Sequence, residues 1–247
     1  MDADFALAVL LSTLAGLGTG LGGLIVLVRK PREKLFVFLI GLAAGVMIML
    51  SFIGLLFDSL IISGLFPAAT GFTAGILLFL VLDFVLPHKH IVDDKGAIHG
   101  KMFRTGTLIA IGISLHNLPE GIAVVSGYFH APELGLVIAI AIALHNIPEG
   151  IAIALPLHMS GTSRRFAFRV AFLSGLAEPL GAIIAALFLT AIPGLTPYAL
   201  AFAAGVMVFI TMDELIPIAH EHGHEHFTAF GLTIGFILTF GLLAVIG

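Results

Sequence analysis

Eight apolar stretches run through this chain, at about 5–28, 35–62, 67–87, 106–128, 133–157, 166–191, 195–217 and 227–246. Each is long enough to cross the roughly 30 Å hydrocarbon core of a bilayer as a helix, which takes about 20 residues. Short polar breaks separate them: RKPREK, ISGLFP, HKHIVDDKGAIHGKMFR, YFHAPE, HMSGTSRR, PGLTP and HEHGHEH. Lipid offers no hydrogen bonds, so a crossing segment must satisfy its own backbone, and helices do so. The hydrophobic share is 59% and the charged share 11%, more apolar surface than a soluble fold of 247 residues has interior to hide. The expected fold class is therefore an all-α integral membrane protein with eight transmembrane helices, residues 1–247 forming a single polytopic domain. A formal charge of -4 with few basic residues argues against a nucleic-acid partner. The absence of cysteine excludes disulfides and thiolate metal sites. The acidic start MDAD lacks the basic region of a cleavable signal peptide, and the run after it is long enough to span.

Charge orients the eight-span arrangement. Arg29, Lys30, Arg32 and Lys34 fall in the first loop, Lys89, Lys95, Lys101 and Arg104 in the third, and Arg164, Arg165 and Arg169 in or beside the fifth. These are all 11 basic residues of the chain, and the alternation of spans puts them on one side. The positive-inside rule makes that side cytoplasmic and places both termini outside.

Two segments nearly repeat each other. AIGISLHNLPEGIAVV (from Ala110) and AIAIALHNIPEGIAIA (from Ala139) agree at 11 of 16 positions, yet lie on helices that cross in opposite directions. AAGVM recurs as Ala43–Met47 and Ala203–Met207, on the second and seventh helices. An inverted repeat is a hallmark of secondary transporters, which hold substrate near the midplane. Gly18–Gly23 matches G-x-G-x-x-G but sits inside the first span, where small residues serve close helix packing. Ser12, Ser174 and Thr211 have no neighbouring base that would make a nucleophile.

An ionisable residue at membrane depth is costly and marks function by default. His116 and Glu120 are four residues apart, hence on one helix face, and His145 and Glu149 repeat the arrangement. Asn117 and Asn146 reach the same interhelical space, and Glu178 adds a carboxylate from the sixth helix. Two imidazoles, three carboxylates and two amide oxygens suit a divalent first-row cation, or a pair of them. Pro119, Pro148 and Pro179 lack an amide hydrogen, so the carbonyls of Leu115, Leu144 and Gly175 are expected to be freed at kinks beside the ligands. His220, His222, His224 and His226 in HEHGHEH form a further candidate for handing off cations at the cytoplasmic mouth. Asp213 and Glu214 can line the exit, while Asp58 and Asp83 read equally well as helix-end residues.

HNLPEG at His116–Gly121, HNIPEG at His145–Gly150, GLAEPLGA at Gly175–Ala182, LDFVLPH at Leu82–His88 and MVFITMDELIPIAHEHGH at Met207–His224 resemble the ZIP family of divalent-metal transporters. The resemblance covers essentially the whole chain and is strongest to the bacterial zinc-permease branch. It implies a ZIP-type bundle with an inverted three-helix repeat around the fourth and fifth helices, and a two-metal centre. One metal would take His116, Glu120, His145 and Glu149, with the sulfur of Met47 as a further ligand. The second would take Asn117, Asn146 and Glu178, with Glu120 and Glu149 bridging. Helices one, four, five and six would move as a unit, and the protein would be a homodimer in a bacterial inner membrane. It would carry Zn2+ into the cytoplasm, with Fe2+, Mn2+ and Cd2+ as further substrates and no organic cofactor. The sequence departs from the family at Gly54 and Phe57-Asp58 in the second helix, and in a third loop with only His88, His90 and His99. The competing reading is an intramembrane zinc-dependent hydrolase, but HExxH is absent from the spans that carry the candidate ligands, and those ligands are too many for one open coordination position.

Overall fold

Each apolar run becomes a helix. In the computed structural model of the chain, which describes residues 2–29, 31–85, 98–221 and 223–246, the spans are α1 (Ala3–Val28), α2 (Glu33–Ser63), α3 (Leu65–Val85), α4 (Met102–His130), α5 (Pro132–Met159), α6 (Arg164–Ala191), α7 (Pro193–Glu221) and α8 (Glu225–Val245). The span ends lie within four residues of the expected ones, although the helix of α4 itself begins earlier, at Ile98, and no strand occurs among the described residues. His88, His90, His222, Lys30, Lys89 and Lys95 lie outside the described residues, as do the side chains of His99 and Lys101.

Two contacts tie the basic segments to one face. Arg164 Nη1 donates to the carbonyls of Leu27 (3.1 Å) and Val28 (3.3 Å), capping the end of α1 from the start of α6. Lys34 Nζ lies 5.4 Å from the centre of the Phe227 ring, joining the starts of α2 and α8. We call this the basic face.

The inverted repeat reaches well beyond the quoted motifs. α3 packs on α7 as α8 packs on α2, and α4 packs on α6 as α5 packs on α1. GFTAG (Gly71–Gly75) on α3 corresponds to GLTIG (Gly231–Gly235) on α8. A Cβ on Gly75 would overlap the Phe202 carbonyl of α7, and one on Gly235 the Leu42 carbonyl of α2. The AAGVM echo is structural too. Four residues after each motif methionine, a hydroxyl bonds back to that methionine's carbonyl: Ser51 to Met47 and Thr211 to Met207, both at 2.7 Å. Each helix then loosens into π-type turns, Leu50–Leu56 in α2 and Thr211–Leu215 in α7. Back-bonded hydroxyls and π-turns both bend membrane helices.

α5 is the most enclosed span, with 72% of its most apolar window buried, against 22% for α3 and 17% for α8. The duplicated motifs of α4 and α5 therefore sit at the centre, with α3 and α8 outermost. The expected proline kinks are realised differently. α4 and α5 stay helical through Pro119 and Pro148. The helical break is in α6, at Leu176, three residues ahead of Pro179, where Leu176 N bonds the Leu173 carbonyl in a tight turn (3.2 Å). Loss of an amide to an interior proline is tolerated where neighbouring helices hold the rest of the ladder together.

Candidate metal centre

The motif glycines set how closely the central helices are wrapped. A Cβ on Gly150 of α5 would overlap the Thr19 carbonyl of α1, and one on Gly121 of α4 would overlap the Glu178 carbonyl of α6. This close approach brings the polar residues of four helices into one volume.

His116, Glu120, His145 and Glu149 meet there, each at most 1% exposed. Glu120 Oε1 lies 2.8 Å from His145 Nε2 and 3.0 Å from His116 Nε2, and Glu149 Oε1 is 3.3 Å from His116 Nε2. One ligand atom from each of the four falls within 4.8 Å of all the others. A tetrahedral cation with bonds of about 2.1 Å needs ligand atoms about 3.4 Å apart, so small side-chain shifts close the set around one ion.

The asparagines and Glu178 lie next to it, wholly buried. Asn117 Nδ2 donates to the Ser174 carbonyl (3.0 Å). Asn146 Nδ2 donates to the Ala15 carbonyl (3.0 Å) and to Glu178 Oε2 (2.8 Å). Only the nitrogen of an amide can donate, so each Oδ1 is turned the other way. Both Oδ1 atoms, with Glu120 Oε2 and Glu149 Oε2, are buried without a hydrogen-bond partner. Four orphaned oxygens at membrane depth are expensive unless something positive binds them. The donor set fits a hard or borderline dication.

The family sequence model described as "ZIP Zinc transporter" matches residues 92–244. The chain is 40% identical to the zinc transporter ZupT of Akkermansia muciniphila, over 96% of this chain and 97% of that protein. Identity to ZupT is 38% for Streptococcus mutans (94% of each chain) and 42% for Corynebacterium glutamicum (91% of this chain, 93% of that one). The chain belongs to the ZIP family. It is a transporter and not an enzyme, and the hydrolase alternative finds no support.

Within this ZIP bundle, some partners of the candidate ligands were not legible in sequence. Ser12 Oγ donates to Glu178 Oε1 (3.3 Å), and the Ala15 and Ser174 carbonyls orient the two asparagines. The available signal was modest: Ser12, Gly16, Thr19 and Gly23 recur on one face of α1, the small-residue pattern of a close helix interface. That same packing accounts for the G-x-G-x-x-G match, since a Cβ on Gly22 would overlap the Ile147 carbonyl.

Met47 is fully buried in α2, with its sulfur 3.6 Å from Thr211 Oγ1 of α7. On the basic-face side of His116, a narrow cavity of about 20 Å³ is lined by Asp83, Gly112, Leu115, Asp213 and Glu214, among others. A Cβ on Gly112 would lie 3.1 Å from Glu214 Oε1. Asp83 thus joins the two acids of α7, which the sequence did not indicate. His220, in the last turn of α7, and His224, on the α7–α8 connection, are exposed. His220 Nδ1 is 3.8 Å from Glu225 Oε1, and the His224 ring meets Phe227 edge-on at 6.1 Å.

Proposed function

We propose that this ZIP-family chain imports Zn2+ into the cytoplasm across a bacterial inner membrane, acting as a single transmembrane domain over residues 1–247. The observation that carries the reading is the sealed His116/Glu120/His145/Glu149 cluster at the centre of the bundle, with carboxylate oxygens left unpaired. One cation takes these four residues, with Met47 as a soft ligand from α2. A second takes Asn117 Oδ1, Asn146 Oδ1 and Glu178, with Glu120 and Glu149 bridging through their free oxygens. Fe2+, Mn2+ and Cd2+ are further substrates of the same donor set. The basic face is cytoplasmic by the positive-inside rule, both termini are outside, and the Asp83/Asp213/Glu214 cavity leads the ion inward. His220, His222, His224 and His226 receive ions beyond it.

The seating of α5 on α1 and of α4 on α6 supports motion of these four helices as one body against α2, α3, α7 and α8. The open flanks of α3 and α8 supply the surface for a homodimer.

Purified protein in proteoliposomes should accumulate Zn2+ down its gradient; a preparation that is folded but passes no zinc would overturn the reading. A tag at the amino terminus should be reached by an impermeant reagent in intact cells, and a His224→Cys thiol only after permeabilisation. Labelling of that thiol in intact cells reverses the orientation. His145→Asp replaces a borderline ligand with a hard one and should shift the zinc-to-manganese uptake ratio toward manganese by roughly tenfold. Equal losses for both metals would place His145 outside the coordination sphere.

A further inference from the structure

The contacts that α1 and α6 make with the central pair repeat residue for residue. Gly150 seats on the Thr19 carbonyl as Gly121 seats on that of Glu178. Asn146 Nδ2 donates to the Ala15 carbonyl as Asn117 Nδ2 donates to that of Ser174, both at 3.0 Å. A Cβ on Gly22 would overlap the Ile147 carbonyl, as one on Gly181 would overlap that of Leu118. All these pairs align AGLGTGLGG (Ala15–Gly23) with SGLAEPLGA (Ser174–Ala182) at one constant offset. In that alignment the partner of Glu178 is Thr19.

Thr19 is wholly buried, and its Oγ1 has no hydrogen-bond partner. A helical threonine ordinarily bonds the carbonyl four residues back, as Thr13, Thr107 and Thr211 do. For Thr19 that acceptor is Ala15, whose oxygen is already engaged by Asn146 as well as by the helix ladder. The side chain also leaves α1 where Glu178 leaves α6. A Cβ on Gly175 would lie 3.1 Å from Thr19 Cβ, as one on Gly16 would lie 3.3 Å from Glu178 Cβ.

We propose that Thr19 is the α1 counterpart of Glu178 and, through one bridging water, supplies an oxygen to the cation held by Asn117, Asn146 and Glu178. The inference rests on the second cation position proposed above. A threonine hydroxyl reaches about 2.5 Å less far than a glutamate carboxylate, roughly one hydrogen-bond length, which a single water fills. The pseudo-symmetric frame thus carries a carboxyl group on α6 and a hydroxyl on α1. A dication meets enough negative charge to enter and not so much that it stays.

Thr19→Val keeps the shape and removes the hydroxyl. A merely orphaned hydroxyl is better replaced by methyl, so a purely structural role gives equal or higher thermal stability and an unchanged KM for zinc uptake. The expected result in proteoliposomes is equal or higher stability together with a KM raised about three- to tenfold, and recovery to within about twofold in Thr19→Ser. A wild-type KM in Thr19→Val overturns the proposal. Should Thr19→Val fold poorly, Thr19→Ser and Thr19→Ala both lose the methyl and differ only in the hydroxyl; equal KM values for the two overturn it as well. Glu178→Gln measured alongside separates the two levels. If Glu178→Gln also keeps a wild-type KM, the second cation position itself fails; if it is impaired while the Thr19 variants are not, only the Thr19 assignment fails.

Discussion

Glu120→Gln and Glu149→Gln should each abolish zinc uptake while the protein still folds and inserts. Glu120 Oε1 is the shared contact of the centre, within 3.0 Å of both His116 Nε2 and His145 Nε2, and Glu149 Oε1 approaches His116 from the opposite repeat. Each residue also has an unpaired second oxygen, the pair proposed to bridge to the neighbouring cation. Glutamine keeps the volume but removes a charge. In a water-excluded setting a dication then loses several kcal/mol of compensation, on the order of 10³-fold or more in occupancy. Uptake of Zn2+ into proteoliposomes, with a size-exclusion profile for each variant, reads both halves of the expectation. Asp58→Asn, half-buried near the end of α2, should be much milder. Two glutamine variants that transport at near wild-type rates would reduce the duplicated motif to helix packing and remove the proposed function.

Gly150→Ala should fail in the opposite way, by not assembling. The added methyl would overlap the Thr19 carbonyl, a backbone atom inside a regular helix that cannot swing aside. Relief requires α1 to back away from α5, which also strains the Asn146–Ala15 hydrogen bond. Overpacking of this kind costs about 1–3 kcal/mol, and a lost buried hydrogen bond adds about 1 kcal/mol. A fall in melting temperature of order 10 °C, or loss of the monodisperse species, is expected. Gly194→Ala is the control, since a Cβ there meets no atom within 4 Å and should leave stability unchanged. Equal stability of the two variants would mean that α1 is not held on α5 by this contact.

Much of the architecture could be read along the chain because the relevant physics is one-dimensional. The length of an apolar run decides whether it spans, and the alternation of spans decides which loops share a face. By that alternation all 11 basic residues are expected on one side. The spacing of four between His116 and Glu120, and again between His145 and Glu149, puts each pair on one helix face before any tertiary contact is known. The break in α6 was less legible. Proline 179 marks the neighbourhood, but the ladder opens at Leu176.

The sequence by itself determined the eight helices and singled out the four candidate ligands that the duplicated motif carries. The tertiary structure alone decided what holds the polar residues beside them, Ser12 on Glu178 and the Ala15 and Ser174 carbonyls on the asparagines, and that Asp83 comes beside Asp213 and Glu214. It also decided how far the inverted repeat extends. α1 and α6, like α3 and α8, keep their correspondence through glycines that admit a neighbouring carbonyl. Such a contact asks only that a side chain be missing at one position and specifies nothing about the residue whose backbone fits there. Few identities are needed to preserve it, so the symmetry persists in the packing after the sequence has lost most of its trace.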